Sequence, residues 1–367
     1  MTMPKLCLGI IERGSKMKIC TKCILPETYP GISFDENGVC NFCKEDEVKK
    51  KEAIVNFQTE NELKNCLEKY KNINKKYDVL VPLSGGVDSA HTLIKLVKEY
   101  NLRPLAYHND NGYEHETAVN NARKLCKALD VDLVITQPGS TFLKKLWKYL
   151  HESKAYGIPS CYVCANIIFI SAVEVAERYG IKLVINGYSK GQAQVMKDTV
   201  MGVNMLKAMY QITRNNGDKE FYEEFVEKFE KLSKVITYRE KEDLKKNVDL
   251  DKILVVPFFI FKFNKTDKEM LKSEIRKVFN WEHIPYSFPS RTTNCRMNWL
   301  NTYIDRIKIG YCSYDIEFAE LIRSGEITRE QALEDLILNP PEGMVEKLAD
   351  EVGVNLNSIK PLTKNKV

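Results

Sequence analysis

The chain has 367 residues, of which 44% are hydrophobic and 29% charged, and 55 Lys and Arg against 50 Asp and Glu give a net charge of +5. These values exclude wholesale disorder and predict one large folded domain with appendages, or two ordinary domains. The small positive excess is compatible with a nucleotide or an anionic sugar as substrate and is too weak to indicate a nucleic-acid partner. No apolar run approaches the about 20 residues that a membrane-spanning helix needs, so no membrane span is expected.

The N-terminal region carries a cysteine motif. Met1–Lys18 lacks the apolar stretch of a secretory signal, so the eleven cysteines indicate metal or redox chemistry in a reducing cytoplasm. Residues 1–17 are expected to be an extension that contributes little to the fold. In the loop-like segment 18–45, two C-x2-C pairs stand sixteen residues apart, which predicts a closed, structural Zn²⁺ site in a zinc ribbon. Its ligands are Cys20, Cys23, Cys40 and Cys43, whereas inert positions are expected for Cys7, Cys66, Cys126 and Cys312.

The remainder of the chain has the pattern of an α/β protein. Residues 46–76 are charged and predict a linker helix into a main domain at 77–298. From there, short apolar runs alternate with amphipathic stretches, which is typical of a doubly wound parallel sheet with helices on both faces. The predicted strands are Val79–Leu83, Pro104–Tyr107, Leu133–Thr136, Leu183–Ile185 and Ile253–Pro257, and the helices between the first four are 88–100, 115–129 and 163–179. A charged helical insertion is expected at about 214–250, and a helical C-terminal region at 299–367.

The sharpest motif, SGGVDS at Ser84–Ser89, follows the first predicted strand. A glycine-rich turn between a strand and a helix surrounds an anion with backbone N–H groups and the positive end of the helix dipole. The two serines can donate hydrogen bonds, whereas Asp88 would be repelled by phosphate unless a cation intervenes, which predicts Mg²⁺. No Walker A pattern occurs. The motif instead resembles the SGGxDS signature of PP-loop ATP pyrophosphatases, which implies cleavage of ATP between its α and β phosphates and adenylylation of the substrate.

Two later strand ends fit the same nucleotide site. The second strand runs into His108-Asn109-Asp110-Asn111-Gly112, and the fourth into Asn186-Gly187-Tyr188-Ser189-Lys190. In the PP-loop family, groups at these points lie near the nucleotide. The resemblance therefore implies an ATP site made of Ser84, Gly85, Gly86, Asp88, Ser89, Asn109, Asn186 and Gly187.

A second cysteine cluster is expected near the nucleotide end of the sheet. Cys161 and Cys164 form a C-x2-C pair just before the helix that leads into the fourth strand, and Cys295 is the third member. Three thiolates can hold a [4Fe–4S] cluster and leave one iron open for sulfide or substrate. A catalytic thiol pair, a second metal site and buried apolar cysteines are the alternatives. With Asp88, the three cysteines are the candidate catalytic residues.

Over most of its length the chain resembles the N-acetyl sugar amidotransferases among PP-loop enzymes. The similarity is carried by the ribbon Cys20–Cys43, the loop Ser84–Ser89, the three later cysteines and the helical stretch Ile322–Leu333. It implies that the oxygen of an N-acetyl group on a nucleotide-linked or polysaccharide-precursor sugar is adenylylated. Ammonia from a separate glutaminase would then displace AMP and leave an acetamidino group. One departure is Asn186–Gln192, which stands where those enzymes tend to carry a Gly-Glu-Asn-like sequence.

Two rival functions remain open. PP-loop sulfurtransferases, including tRNA thiolases and thioamide-forming enzymes, also combine the loop with a C-x2-C pair and a distant third cysteine, and they insert sulfur. A small-molecule or carrier-bound substrate is favoured over tRNA, because the Lys-rich stretches are flanked by acids or lie on predicted solvated helices. The other rival is a nucleotide-binding module that has lost catalysis, which the intact Ser84, Asp88 and Ser89 argue against.

Overall fold

The computed structural model describes residues 17–52, 59–137, 140–153, 158–188, 192, 210–211, 213–214, 217–231, 235–237, 251–260, 268–289 and 294–362. Residues 1–16 of the predicted extension lie outside this described part. So do Ser189, Lys190 and most of 231–250. The strands are β1 (Val79–Pro82), β2 (Pro104–Asn109), β3 (Leu133–Thr136), β4 (Leu183–Asn186), β5 (Val235–Thr237) and β6 (Ile253–Pro257). The helices are α1 (Asn41–Glu52), α2 (Glu60–Tyr70), α3 (Val87–Lys98), α4 (Glu116–Leu129), α5 (Ser140–Glu152), α6 (Ser160–Arg178), α7 (Lys219–Glu230), α8 (Lys268–Arg276), α9 (Met297–Ile309), α10 (Ser313–Ser324), α11 (Arg329–Asp335) and α12 (Met344–Val352).

The six strands form one parallel sheet in the order β3-β2-β1-β4-β6-β5. Strands β2 and β3 lie in succession on one side of β1, whereas β4 pairs with β1 on the other side. In parallel sheets such a reversal opens a crevice at the carboxyl ends of the two central strands, where ligands bind. The fold class predicted from the sequence is confirmed, and the functional site is expected after β1 and β4.

Helices cover both faces of the sheet, because its central strands are apolar on both sides. Val79 and Val81 of β1 pack in one core with apolar residues of α2, α3, α4 and α8. Leu80, between them, points to the opposite face and packs in a second core with α6. The alternation along β1 thus fixes α3, which follows the SGGVDS loop, against one face and α6, which carries the C-x2-C pair, against the other.

Helix α6 is long and apolar enough, by length and composition alone, to cross a membrane: its 19 residues include an 18-residue window of mean hydropathy 1.4. The expectation that no apolar run approaches this length was therefore wrong. More than half of that window is buried within the protein, and the helix packs on the sheet and against α5, α7, α9 and α10. Its contacts are those of a core helix.

The N-terminal cysteine segment packs on the C-terminal helices. Both belong to one apolar core, which joins Ile24 and Leu25 to α9–α12 and also includes α5 and part of α6. Tyr29 contacts Tyr311 with ring centroids 5.4 Å apart, and the Arg329 guanidinium donates hydrogen bonds to the carbonyl oxygens of Cys20 and Cys23.

Three predicted elements differ from the structure. The single linker helix at 46–76 is two helices, since α1 begins earlier, at Asn41, and α2 has its own N-cap at Thr59. The charged insertion contains helix α7 but also strand β5, which pairs with β6 and forms the edge of the sheet. Helix α6 begins at Ser160, directly after Pro159, so the C-x2-C pair lies in its first turns rather than before it.

Candidate active site

The SGGVDS segment forms a tight loop between β1 and α3. Gly85 has a φ of +76°, and a Cβ at this position would lie 2.0 Å from the carbonyl oxygen of Ala118. Glycine is required there, because the positive φ is unfavourable for L side chains and the neighbouring atom belongs to the backbone of α4. The loop thereby brings the N-terminus of α3, with its unpaired N–H groups and positive dipole end, to the crevice between β1 and β4.

The two serine hydroxyls of the loop lie side by side at the wall of the crevice. Their Oγ atoms are 3.0 Å apart, and the backbone N–H of Ser84 donates to Ser89 Oγ at 3.1 Å. The N–H of Gly86 also donates, at 3.4 Å, to Ser84 Oγ. These bonds orient both hydroxyls while leaving hydrogen-bonding capacity for an anion.

Side chains from distant parts of the chain hold the backbone of the loop. Trp281 Nε1 and Asn121 Nδ2 donate to the carbonyl oxygen of Gly85 at 3.2 and 3.3 Å. Asn294 Nδ2 donates to that of Ser84 at 2.8 Å. The loop conformation is therefore set before any ligand binds, which reduces the entropy lost on binding.

The end of β4 packs directly against the loop. A Cβ on Gly187 would lie 2.7 Å from the backbone nitrogen and Cα of Ser89, so this glycine permits the close approach. Two amides in the wall of the same cavity are buried, and each has one atom that lacks a hydrogen-bond partner among the described residues: Asn186 Nδ2 and Asn109 Oδ1. An unpaired amide nitrogen and an unpaired amide oxygen in one cavity are donors and acceptors suited to a ligand such as a nucleotide.

Asp88 lies in the first turn of α3 and its carboxylate faces a cation. Its Oδ2 is 3.3 Å from Nζ of Lys268, the first residue of α8. The Asp88 side chain is about a fifth exposed and the Lys268 side chain about a third, so the pair is accessible to solvent. A carboxylate at the loop, beside the expected phosphate position, is the hard oxygen ligand that Mg²⁺ prefers.

One cavity of about 290 Å³ connects the loop with the second cysteine cluster. Its wall includes all the predicted ATP-binding residues except Gly85, which packs against Ala118 of α4. The residues shared between the predicted sites and this wall are Ser84, Gly86, Asp88, Ser89, Asn109, Asn186, Gly187, Cys161, Cys164 and Cys295. The structure thus brings the two predicted sites together into a single site.

The three cysteines of this wall come from two distant segments. Cys161 and Cys164, three residues apart on α6, share one helix face. Amide groups contact two of the sulfurs: Asn301 Nδ2 donates to Cys161 Sγ and Asn111 Nδ2 to Cys295 Sγ, both at 3.3 Å. Three thiols on one wall are the kind of donor set that an iron–sulfur cluster uses, although their sulfurs are less closely grouped than those of the N-terminal segment.

Burial keeps these three thiols neutral. It raises the pKa of Cys161 to about 12 and that of Cys295 to about 11, and it raises the pKa of Cys164 well above the usual value. As free groups all three are protonated at neutral pH. A metal or a base is needed to convert them to the thiolates that act as ligands or nucleophiles.

A buried histidine–carboxylate pair completes the wall. His108 Nδ1 donates to the carbonyl oxygen of Leu83 at 2.7 Å, and Nε2 lies 3.0 Å from Glu114 Oε2. Burial lowers the pKa of His108, but Glu114, the Leu83 carbonyl and Asp110 together raise it more, so the net shift is upward. Burial also raises the pKa of Glu114. Glu114 forms an antiparallel backbone bridge with Cys295, so the segment after β2 positions the third cysteine.

The N-terminal cysteines form a separate site. Among the residues that the structure describes, Cys20, Cys23, Cys40 and Cys43 are the group whose ligand atoms converge closely enough to hold one ion. The sulfurs of Cys20 and Cys43 are 3.9 Å apart and those of Cys23 and Cys40 are 3.8 Å apart. A tetrahedral ion with bonds of about 2.3 Å to sulfur spaces its ligands about 3.8 Å apart, as zinc does. The four residues therefore fit Zn²⁺.

The remaining cysteines in the described part of the chain take no part in either site. Cys66, Cys126 and Cys312 are buried, and burial raises their pKa values. Sequence reasoning missed several residues of the active-site wall, because they come from segments without a motif: Glu114, Lys272, Trp281, Asn294, Asn298 and Asn301.

No protein-family model matches the chain. Among curated proteins, an uncharacterized protein of Methanocaldococcus jannaschii is 26% identical over 171 residues, which are 46% of this chain and 58% of that protein. A glutamine-hydrolyzing GMP synthase of Pyrobaculum aerophilum is 32% identical over 90 residues, which are 24% of this chain and 18% of the synthase. The chain thus matches less than two thirds of the length of these relatives.

Three solved structures are similar at low identity. The U34-tRNA thiolase NcsA from Methanococcus maripaludis with its [4Fe-4S] cluster is 14% identical, with a TM-score of 0.38, and the match covers 92% of this chain and 88% of that one. NMN synthetase from Francisella tularensis is 11% identical, with a TM-score of 0.35 and coverage of 85% and 94%. The NH3-dependent NAD synthetase from Campylobacter jejuni is 17% identical, with a TM-score of 0.29 and coverage of 59% and 92%. With TM-scores below 0.5, these similarities assign neither a reaction nor a substrate to the chain.

The loop and its position in the sheet agree with the resemblance to the PP-loop ATP pyrophosphatases. The SGGVDS sequence joins a central parallel strand to a helix N-terminus, at the point where the strand order reverses. The fold is accordingly a doubly wound parallel α/β sheet with the SGGVDS loop at its switch point. Membership of the N-acetyl sugar amidotransferases stays a prediction.

Proposed function

We propose that this protein is an ATP pyrophosphatase that adenylylates a carbonyl oxygen and then exchanges that oxygen for another atom. The observation that supports it is one cavity lined by the SGGVDS loop, two buried amides with unpaired atoms and three thiols. The carbonyl oxygen attacks the α-phosphorus of ATP, and pyrophosphate leaves. A nucleophile then adds to the carbonyl carbon, and AMP departs with the original oxygen.

Each element of the loop has a role in this proposal. Ser84, Ser89 and the N-terminus of α3 hold the phosphates, and Asp88 would hold Mg²⁺, which would supply neutralising charge at the phosphates. Asn109 and Asn186 would satisfy their unpaired atoms on the nucleotide. The preset loop and the helix dipole stabilise charge that develops during transfer, because neither has to reorganise at that moment.

The first candidate for the second step is ammonia, which would make the protein an N-acetyl sugar amidotransferase. Its support is the sequence resemblance along the ribbon, the loop and the later cysteines. The acceptor would be an N-acetyl or amide group on a small or carrier-bound sugar, and a partner glutaminase would supply the ammonia. The same proposal places the protein in the cytoplasm and favours a small-molecule or carrier-bound substrate over tRNA.

The second candidate is sulfur, and the three thiols in the wall of the cavity favour it. Cys161, Cys164 and Cys295 would hold a [4Fe–4S] cluster, which would supply an open iron to bind sulfide. Because burial raises the thiol pKa values, these sulfurs would have to lose their protons on binding the cluster. In either case the ribbon cysteines hold a structural Zn²⁺.

The test is to incubate anaerobically purified protein with Mg²⁺–ATP and acetamido-sugar nucleotides, with ¹⁵N-ammonium in one series and ³⁴S-sulfide in another. AMP and pyrophosphate formed in equal amounts support the adenylylation step. The isotope that appears in the product separates the two candidates. ATP binding without AMP in any series would instead identify a non-catalytic nucleotide-binding module.

Metal analysis of the same preparation adds a second readout. One zinc and about four irons and four sulfides per chain would support both sites and the sulfur candidate. Zinc without iron or sulfide would leave the three cavity cysteines as thiols and favour ammonia.

A further inference from the structure

The chain has three tryptophans, and their indole N–H groups differ in what they donate to. Trp281 Nε1 donates to the carbonyl oxygen of Gly85 at 3.2 Å. Trp299 Nε1 donates to the carbonyl oxygen of Tyr286 at 2.9 Å. Trp147 Nε1 is buried and has no hydrogen-bond partner among the residues that the structure describes. Such an orphaned donor is uncommon, because it has lost water without gaining another acceptor.

Trp147 lies in the wall of the active-site cavity, on the side that helices form. Helix α5, which carries it, packs against α6, α9 and α12. Helix α6 supplies Cys161 and Cys164 to the same wall, and α9 supplies Asn298 and Asn301. The unpaired donor is therefore beside the thiols, whereas the phosphate loop forms another part of the cavity.

Packing holds the indole ring in one place. Trp147 has no exposed surface, and it shares an apolar core with Leu146 and Leu150 of its own helix. The ring of Tyr113 contacts it edge to face, with centroids 5.0 Å apart. An aromatic face is at most a weak acceptor, so this contact does not replace a hydrogen bond. A donor that is already fixed loses little entropy when a ligand accepts its bond.

The surroundings of the indole select the chemistry of that ligand. The lining residues that α5, α6, α9 and α10 contribute in the described part of the chain include thiols, amides and the Tyr314 ring, and none of them is charged. A carboxylate or phosphate placed there would lose its hydration without a cation to compensate. A neutral carbonyl or hydroxyl oxygen needs only a donor such as Trp147 Nε1.

We propose that Trp147 determines specificity for the acceptor by donating its indole N–H to a neutral oxygen other than the one that is adenylylated. This inference rests on the proposed adenylylation and names a contact that holds the acceptor on the helical side of the cavity. No bond is made or broken at the indole. An acceptor without that oxygen would leave the buried donor unpaired, and sites built around such a bond discriminate strongly against analogues that lack it.

The indole N–H signals of the full chain, labelled with ¹⁵N-tryptophan, report on these bonds without turnover. Trp147→Phe and Trp299→Phe assign the signals. We would record the spectra without ligand, with Mg²⁺ and α,β-methylene-ATP, with UDP-N-acetylglucosamine, and with sulfide. The Trp147 proton should move downfield when the sugar nucleotide is added, because it gains an acceptor, whereas the Trp299 proton should stay in place.

Calorimetry on the two variants gives a second readout. Trp147→Phe should bind UDP-N-acetylglucosamine about threefold to tenfold more weakly than the wild type, since one hydrogen bond is lost, and its affinity for AMP should be unchanged. Trp299→Phe is the matched control, because it removes the same part of the ring at a tryptophan whose donor has its partner within the chain. Its affinity for the sugar nucleotide should equal that of the wild type.

A Trp147 signal that UDP-N-acetylglucosamine leaves unchanged would overturn the inference and identify a bridging water as the partner. So would a shift caused by the ATP analogue alone or by sulfide alone, or equal losses of affinity in the two variants, which indicate a packing effect. AMP formation from ATP without any response of Trp147 would refute this inference and leave the proposed function standing. A response of Trp147 in protein that never forms AMP would refute the function and leave the assignment of Trp147 standing.

Discussion

Substitution of the two neighbouring loop glycines by alanine gives a sharp test of how the loop is built. At Gly85 a Cβ would lie 2.0 Å from the carbonyl oxygen of Ala118, where at least 3.0 Å is needed, and the φ is +76°. At Gly86 the nearest atom would be Ser84 Oγ at 3.5 Å, and the φ is −80°. The two variants add the same methyl group one residue apart, so they form a matched pair.

Gly85→Ala should lower the free energy of unfolding by about 2–5 kcal/mol. An L side chain at positive φ costs about 1–2 kcal/mol, and displacement of well-packed neighbours costs about 1–3 kcal/mol. Because α4 presents backbone rather than a mobile side chain, rotation of a side chain cannot relieve the overlap. Gly86→Ala should change stability by less than about 1 kcal/mol, since a poorer N-cap is offset by a less flexible unfolded chain.

Urea unfolding followed by tryptophan fluorescence measures both variants, and Trp281, which bonds to the carbonyl of Gly85, reports on the loop. ATP binding by the folded fraction is the second measurement. We expect Gly85→Ala to lose both stability and ATP affinity, and Gly86→Ala to keep its stability. Equal unfolding free energies for the two variants, within about 0.5 kcal/mol, would refute the packing of the loop against α4.

Three further predictions concern charge and metal. Asp88→Asn should abolish AMP formation, checked by chromatography, while the melting temperature stays unchanged, because the carboxylate is partly exposed and its role is to bind Mg²⁺. Cys161→Ala or Cys295→Ala should remove the brown absorbance and the iron of anaerobically purified protein while one zinc per chain remains. Asp78→Asn should lower the unfolding free energy by about 2 kcal/mol at pH 7, measured in urea, because the buried Asp78 carboxylate accepts bonds from the side chain and backbone of Arg103.

The pH dependence of the last variant has a definite sign. Burial raises the pKa of Asp78, but the bonds to Arg103 and to the backbone together lower this pKa by a larger amount, so the net shift is downward. A lowered pKa gives stability that is complete above the unfolded pKa of about 3.9 and is lost as the pH falls through the folded value. The difference between wild type and Asp78→Asn should therefore be constant near neutrality and vanish in acid. A difference that grows on acidification would contradict this assignment.

The parts of the site that sequence predicts are those with local signals. The loop, the strand before it and the helix after it are adjacent in the chain, and a glycine at positive φ follows from the tight turn. The spacing of the ribbon cysteines is likewise a local signal, which predicts the metal site. Residues such as Glu114 and Trp281 carry no local signal, because their roles come from contacts with Cys295 and Gly85 across more than 180 positions of sequence.

Short or shifted elements were missed for physical reasons. Strand β5 has three residues and is held by its pairing with β6, so tertiary contacts define it more than its own propensity does. Helix α6 begins at Ser160, since a proline directly before it tolerates a helix start. That shift moved the cysteine pair from a loop onto one helix face, which changes how rigidly its thiols are presented.

The packing of the ribbon on α9–α12 has a consequence for how the chain is made. The ribbon leaves the ribosome before the helices that cover its apolar residues, because those helices lie much later in the chain. Until then Ile24 and Leu25 lack their C-terminal contacts, Tyr29 lacks its contact with Tyr311, and the bonds from Arg329 to Cys20 and Cys23 cannot form. Nascent chains would thus depend on early metal capture, or on a chaperone, to protect this end from aggregation and oxidation.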